Sequence, residues 1–243
     1  MANSERSFAD RLQKGRVLLA ALQNMSPAFV PADAALSIGN FEAYLDSVGG
    51  ANDAVASGVD AFSEAVTARV ADAKKAQALV TQVVAYVKSN SAWKLKFPRI
   101  KQLGDKIRGI RPPRRTAPRK AAAPGAPAAK PEKKRDRGDQ SYADIASNFK
   151  AFATAVAGLS GYNPPDAGIT GPALTALGKK LEKDNTDVAS TDQALDEAQR
   201  ARADKFAAPE TGLEAKFQAE KNAVKGQYSQ KSPQWNAVKA MRW

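Results

Sequence analysis

Apolar residues recur along this chain at intervals of three and four. Tyr142, Ile145, Phe149, Phe152, Val156 and Leu159 step by 3, 4, 3, 4 and 3, which places them on one face of a helix. An earlier line, Phe8, Arg11, Gly15, Leu18, Leu22 and Met25, keeps that spacing and is widened by Leu12 and Leu19. Both segments open with Ser-x-x-Asp, at Ser7/Asp10 and Ser141/Asp144. In that pattern the serine oxygen accepts from an orphan backbone N–H and the acid returns a bond. Pro31 and Pro164-Pro165 interrupt the pattern, followed by Asp33 and Asp166 as caps. A second, longer stripe then runs Phe41, Tyr44, Val48, Asn52, Val55, Val59, Phe62, with the counterpart Leu174, Leu177, Leu181, Asn185, Val188, Asp192, Leu195. Its length suits antiparallel packing in a bundle. Gly49-Gly50 predicts a kink there, because glycine costs about 1 kcal/mol against alanine in a helix. A third helix is predicted over 73–90 on Leu79, Val83, Val84 and Val87. Its counterpart begins near Gly212, after Pro209, on Leu213, Phe217 and Val224. A short helix closes each series, the later one entered through Ser232-Pro233 as cap and first-turn proline.

The two series are related. Asn52, Val55, Ala56, Ser57, Ala61, Glu64, Ala65, Ala68 and Arg69 recur 133 positions later as Asn185, Val188, Ala189, Ser190, Ala194, Glu197, Ala198, Ala201 and Arg202. The pattern predicts an all-α chain of two duplicated antiparallel helical bundles, each with three long helices and one short one. The first copy covers 1–111 and the second 140–243. Between them, 112–139 is rich in Ala, Pro, Lys and Arg and reads as a basic flexible linker, unable to bury enough apolar area to fold.

The closing run Lys231-Ser232-Pro233-Gln234-Trp235-Asn236-Ala237-Val238-Lys239, together with Asn185 in the long helix, resembles a group of uncharacterised bacterial proteins built from tandem α-helical bundles with a Lys/Ala/Pro-rich linker. The resemblance implies an all-helical fold and carries no activity and no functional residue.

Charge changes the picture more than composition does. The formal net charge is +12, and residues 94–140 carry that whole excess, with 16 Lys+Arg against 4 Asp+Glu. The flanking segments are nearly neutral. Such a field attracts polyanions. The candidate contacts are Lys94, Lys96, Arg99, Lys101, Arg108, Arg111, Arg114, Arg115, Arg119, Lys120, Lys130, Lys133, Lys134, Arg135 and Arg137. Lysine and arginine displace the counterions condensed on nucleic acid, giving salt-sensitive, sequence-tolerant binding. Trp93 and Phe97 stand among these charges and stack on bases if exposed. The competing readings are a plain solvated spacer and a membrane-surface role, against which the linker's lack of apolar residues to insert counts.

Other chemistry is poorly provided for. The chain has no cysteine and no histidine, so thiolate metal sites, disulfides and the usual neutral-pH base are excluded. A di-metal carboxylate bundle needs Glu-x-x-His pairs that cannot be built. The carboxylates Asp60, Glu64, Asp196 and Glu197 remain, with no phosphate loop and no nucleophile elbow beside them. The expectation is a non-enzymatic interaction or scaffold protein without cofactor. Its partners are nucleic acid or another polyanion through 94–137, and a protein through the bundles. A nucleoid-associated, sequence-nonspecific DNA-binding protein is the alternative. The polar start and the lack of a long apolar run predict a cytoplasmic chain without a membrane span. Five residues are assigned structural roles. Asn52 and Asn185 set register on apolar lines, Arg69 and Arg202 cover bundle ends with their stems, and Trp235 anchors the last helix.

Overall fold

The computed structural model describes residues 2–110 and 141–243, with side chains from residue 8 onward. Those residues form seven α-helices and three short 3-10 turns, and no strand occurs among them. Helix α1 spans Ala2–Gln23, α2 Ile38–Ser89, α3 Phe97–Ile107, α4 Tyr142–Ala157, α5 Gly171–Ala207, α6 Leu213–Gln227 and α7 Pro233–Lys239. No described helix is long and apolar enough to cross a membrane.

Local signals account for most of the boundaries. At α4 the capping box is complete: Ser141 Oγ accepts from Asp144 N at 3.0 Å, and Asp144 Oδ2 accepts from Ser141 N at 3.4 Å. Asp33 and Asp166 cap 3-10 turns that precede the long helices, each accepting from the backbone N–H two residues on. Ser7 is not a cap, because α1 runs through it from Ala2. Nor does α2 break at Gly49-Gly50 or before residue 73; it is one helix of 52 residues. Leu45 and Val48, both essentially inaccessible, pin the helix beside the glycines, and that packing outweighs their poor propensity. The first series therefore has two long helices where three were expected. In the second series the break does occur, between α5 and α6. There Gly212 is forced: a Cβ would lie 2.6 Å from Ala208 N and 2.7 Å from its carbonyl oxygen.

The helices gather into two compact units, and these differ from the expected 1–111 and 140–243. The first unit holds residues 1–63 and 190–243; the second holds 64–189. In the first, Leu18 and Leu22 of α1 and Phe41, Leu45 and Val48 of α2 pack with Phe206, Leu213, Phe217, Val224 and Val238. In the second, Val80, Val83 and Val87 of α2, Trp93, and Ile100 and Ile107 of α3 pack with Phe149, Phe152 and Val156 of α4 and Leu174, Leu177 and Leu181 of α5. Each core thus draws on both halves of the sequence. The physical reason is that α2 stays helical through residue 89, so its C-terminal apolar face cannot fold back onto its own N-terminal part and is buried by α4 and α5 instead.

Sequence-matched positions carry matched contacts in the two units. Arg69 lies over the ring of Tyr142 at 4.3 Å, and Arg202 lies over the ring of Phe8 at 4.3 Å. Lys180 Nζ binds Asp72 in the second unit, and in the first Lys205 Nζ reaches Ser47 Oγ at 3.3 Å. The same 4, 3, 4 spacing of buried positions occurs at 76, 80, 83 and 87 of α2 and at 213, 217, 220 and 224 of α6.

Helix α3 approaches α2 closely at Gly104, where a Cβ would meet Val80 Cγ1 at 2.9 Å and Val84 Cγ2 at 3.1 Å. Gly104→Val is expected to cost about 1–3 kcal/mol, the overpacking term exceeding any gain in helix propensity. Urea unfolding followed by the fluorescence of Trp93, the second unit's tryptophan, measures it.

Candidate functional site

The basic segment emerges from the second unit as a tight turn. Asn90 Oδ1 accepts from Ala92 N at 3.0 Å and starts a 3-10 turn over Ser91–Trp93. Lys94 N and Lys96 N then bond back to Ser91 O and Trp93 O at 3.2 and 2.9 Å. Trp93 anchors this turn. Its ring is 5 % exposed and packs 5.9 Å from Tyr86 and 5.7 Å from Tyr162, and its Nε1–H donates to Ser160 O at 3.0 Å. Tyr162 in turn donates to Ile169 O at 2.7 Å. Its phenol is pushed up to about 12 by burial, with a smaller contribution from Tyr86, so it remains a donor. Trp93 is therefore unavailable to stack on a base, and Phe97 is half-buried. That corrects the stacking expectation.

Lys94, Lys96, Arg99 and Lys101 are exposed, and no acidic residue occurs between 91 and 104. Lys96 Nζ donates to Gly158 O at 2.7 Å, which fixes its stem across the end of α4. Lys96, Arg99, Ser147, Lys150 and Thr154 line a groove of ≈ 660 Å³. Lys150 also bonds Glu182 at 2.9 Å. At the other end of α3 the charge is partly spent. Asp105 receives Lys101 at 2.6 Å and Arg108 at 2.7 Å. Its carboxyl is held below the usual range, chiefly by the Lys101 hydrogen bond. Lys94, Lys96 and Arg99 thus stand exposed without a neighbouring acid in sequence, whereas Lys101 and Arg108 share Asp105. Arg111, Arg114, Arg115, Arg119, Lys120, Lys130, Lys133, Lys134, Arg135 and Arg137 lie outside the described residues.

The residues expected to be structural are placed as follows. Asn185 Nδ2 donates to Tyr142 O at 3.2 Å, tying α5 to the start of α4. Asn52 Oδ1 is buried without a partner. Arg69 and Arg202 stack on aromatic rings, and Arg202 is 5 % exposed. Trp235 packs partly buried against the first core, while its backbone N–H is capped by Ser232 Oγ at 3.1 Å. Asp60, Glu64, Asp196 and Glu197 are all exposed on helix surfaces.

Two groups of buried charge escaped the sequence reading. In the second unit Asp72 and Asp184 are 8 % and 6 % exposed. Asp184 is pushed above the usual carboxylate range, first by burial and then by its hydrogen bond with Asp72. Lys180 is raised by bonding Asp72. In the first unit Glu220 is 1 % exposed and its Oε2 has no hydrogen-bond partner. Burial pushes it up to about 8, with Lys216 lowering it and Asp33 raising it. The signal was present: Glu220 continues the 4, 3, 4 spacing of Leu213, Phe217 and Val224. No family model matches this chain, and no curated protein or solved structure is detectably similar to it.

Proposed function

We propose that this chain is a non-enzymatic interaction or scaffold protein whose basic segment contacts polyanions. The observation that carries the reading is the turn at 94–99, where three cations stand exposed on a buried tryptophan anchor with no acid beside them. It leads into the sequence run that completes the excess of 94–140. In the same reading the chain is a duplicated pair of helical units that have exchanged halves, so that a doubled scaffold presents a single basic stretch. Sequence-nonspecific DNA binding is the narrower alternative and rests on the same cations, since phosphate contact requires no base readout.

A salt titration of duplex DNA binding by the full chain tests this. Affinity is expected to fall steeply between about 50 and 200 mM salt. Replacing Lys94, Lys96 and Arg99 together by glutamine is expected to reduce the slope of log K against log salt by about 3, at about 0.9 per phosphate contact. Absence of DNA binding at the low-salt end overturns the DNA-binding alternative, and absence of binding to anionic vesicles as well overturns the proposal.

A further inference from the structure

The turn that carries the cations also carries Leu95, which is 95 % exposed. It is the most exposed large apolar residue described, and it sits between Lys94 and Lys96. It stands at the rim of the groove that Lys96, Arg99 and Lys150 also line, and the groove leaves it uncovered. Trp93 on one side is buried and hydrogen-bonded, Ile100 beyond it is 1 % exposed, and the backbone bonds at Lys94 N and Lys96 N hold the tip outward. Of the aromatic residues that would serve single-stranded nucleic acid, Trp93 is buried and Phe97 half-buried, while an aliphatic one is fully offered. A phosphate backbone in water gains nothing from a leucine, since its binding energy comes from counterion release. An anionic bilayer rewards both features. The leucine enters the acyl boundary, and the flanking lysines set their ammoniums among the headgroup phosphates, Lys96 with the N–H donors that its bond to Gly158 O leaves.

We propose that the Lys94–Arg99 turn is a membrane-surface contact in which Leu95 inserts and Lys94, Lys96 and Arg99 bind anionic lipid headgroups. The proposal rests on the polyanion reading and names its partner as a negatively charged bilayer. One inserted side chain is a weak anchor by itself. Reversible membrane binding needs a second signal, and a polybasic stretch of the kind found in 94–140 supplies it.

Full-length protein is tested by sedimentation with phosphatidylcholine vesicles containing about a third phosphatidylserine, with pure phosphatidylcholine vesicles, and by anisotropy with a duplex DNA. The expected result is binding to the anionic vesicles alone among the two lipids, weakened about tenfold by Leu95→Gln while DNA affinity changes less than about twofold. Neutralising Lys94, Lys96 and Arg99 is expected to weaken both, by about fivefold per cation at the vesicle surface. Leu95→Trp gives a direct reading: its emission shifts to the blue and is quenched by brominated acyl chains on the vesicle. Being fully exposed, position 95 takes these substitutions without disturbing either core. DNA binding without vesicle binding overturns the membrane proposal and leaves the polyanion reading standing. Vesicle binding that ignores Leu95→Gln, or a Leu95→Trp emission that does not move, overturns the insertion. Binding to neither probe overturns both readings.

Discussion

Cutting the chain between Gly125 and Ala126, at an inserted protease site, is expected to leave the two halves bound to each other. Each core requires both. The second core places Phe149, Phe152 and Val156 from the C-terminal half against Val80, Val83, Val87 and Ile100 from the N-terminal half, all at 0–1 % exposure. The first places Leu18, Leu22, Phe41 and Leu45 against Phe206, Phe217 and Val224 in the same way. Separating the halves would expose both faces at about 25 cal/mol per Å² of apolar surface, so the fragments should co-elute and part only in denaturant. Two bundles folded in sequence order would separate at once. A point substitution adds an independent test. Phe149→Ala removes a wholly buried ring and should cost about 3–5 kcal/mol. Phe149 shares its core with Trp93, whereas Trp235 and Trp243 belong to the other core. The unfolding midpoint read from Trp93, with Trp235 and Trp243 replaced by phenylalanine, should therefore drop. Under sequential bundles Phe149 would destabilise the unit holding Trp235 and Trp243, and the Trp93 signal would stay where it was.

The pairing of residues 1–63 with 190–243 in one unit is not legible in the spacing of apolar residues. Spacing shows which face of a helix is buried: five of the six residues in the Tyr142–Leu159 stripe are buried, and Tyr142 is partly so. Caps were legible for an equally local reason, because Ser141/Asp144, Asp33 and Asp166 each act on a backbone N–H two or three residues away. Spacing carries no address for the face that does the covering. Two series of similar spacing offer similar apolar faces, and they differ in that α2 runs uninterrupted past Lys75 where the second series breaks at Pro209 and Gly212. Within the basic segment the charges were legible and their exposure at 94–101 follows. The role of Trp93 was not, because its partners Tyr86, Ser160 and Tyr162 come from both sides of the stretch 112–139. Leu95 was invisible for the opposite reason: nothing in a hydropathy pattern distinguishes a leucine that is tucked under a turn from one held out of it.

Glu220→Leu is expected to stabilise the first unit, and to do so increasingly as the pH rises toward 8. Glu220 is the one charged member of the buried 4, 3, 4 series Leu213, Phe217, Glu220, Val224. The carboxyl is 1 % exposed, one oxygen has no partner, and it holds its proton to about pH 8 against 4.5 for an unhindered glutamate. Between those values the folded chain carries a proton that the unfolded chain has released. Stability is then greatest below about 4.5, falls as pH rises, and levels off above about 8. The slope in that window is about 1.4 kcal/mol per pH unit. Two charged groups act on the site: Lys216 one turn earlier on α6, whose Nζ lies 4.8 Å from the Tyr44 ring of α2, and Asp33 from the segment before α2. The ammonium favours the ionised carboxylate and Asp33 opposes it. Lys216→Met should therefore move the upper inflection to higher pH, a shift that loss of packing alone would not produce. Glu220→Gln keeps the shape and cannot titrate, so it should flatten the pH dependence while retaining a buried polar cost; Glu220→Leu removes both. Urea midpoints between pH 5 and 9, read from Trp235 and Trp243 in the first unit, measure all three. A slope that survives in Glu220→Leu would assign the titration to another group and leave the buried carboxyl without consequence for stability.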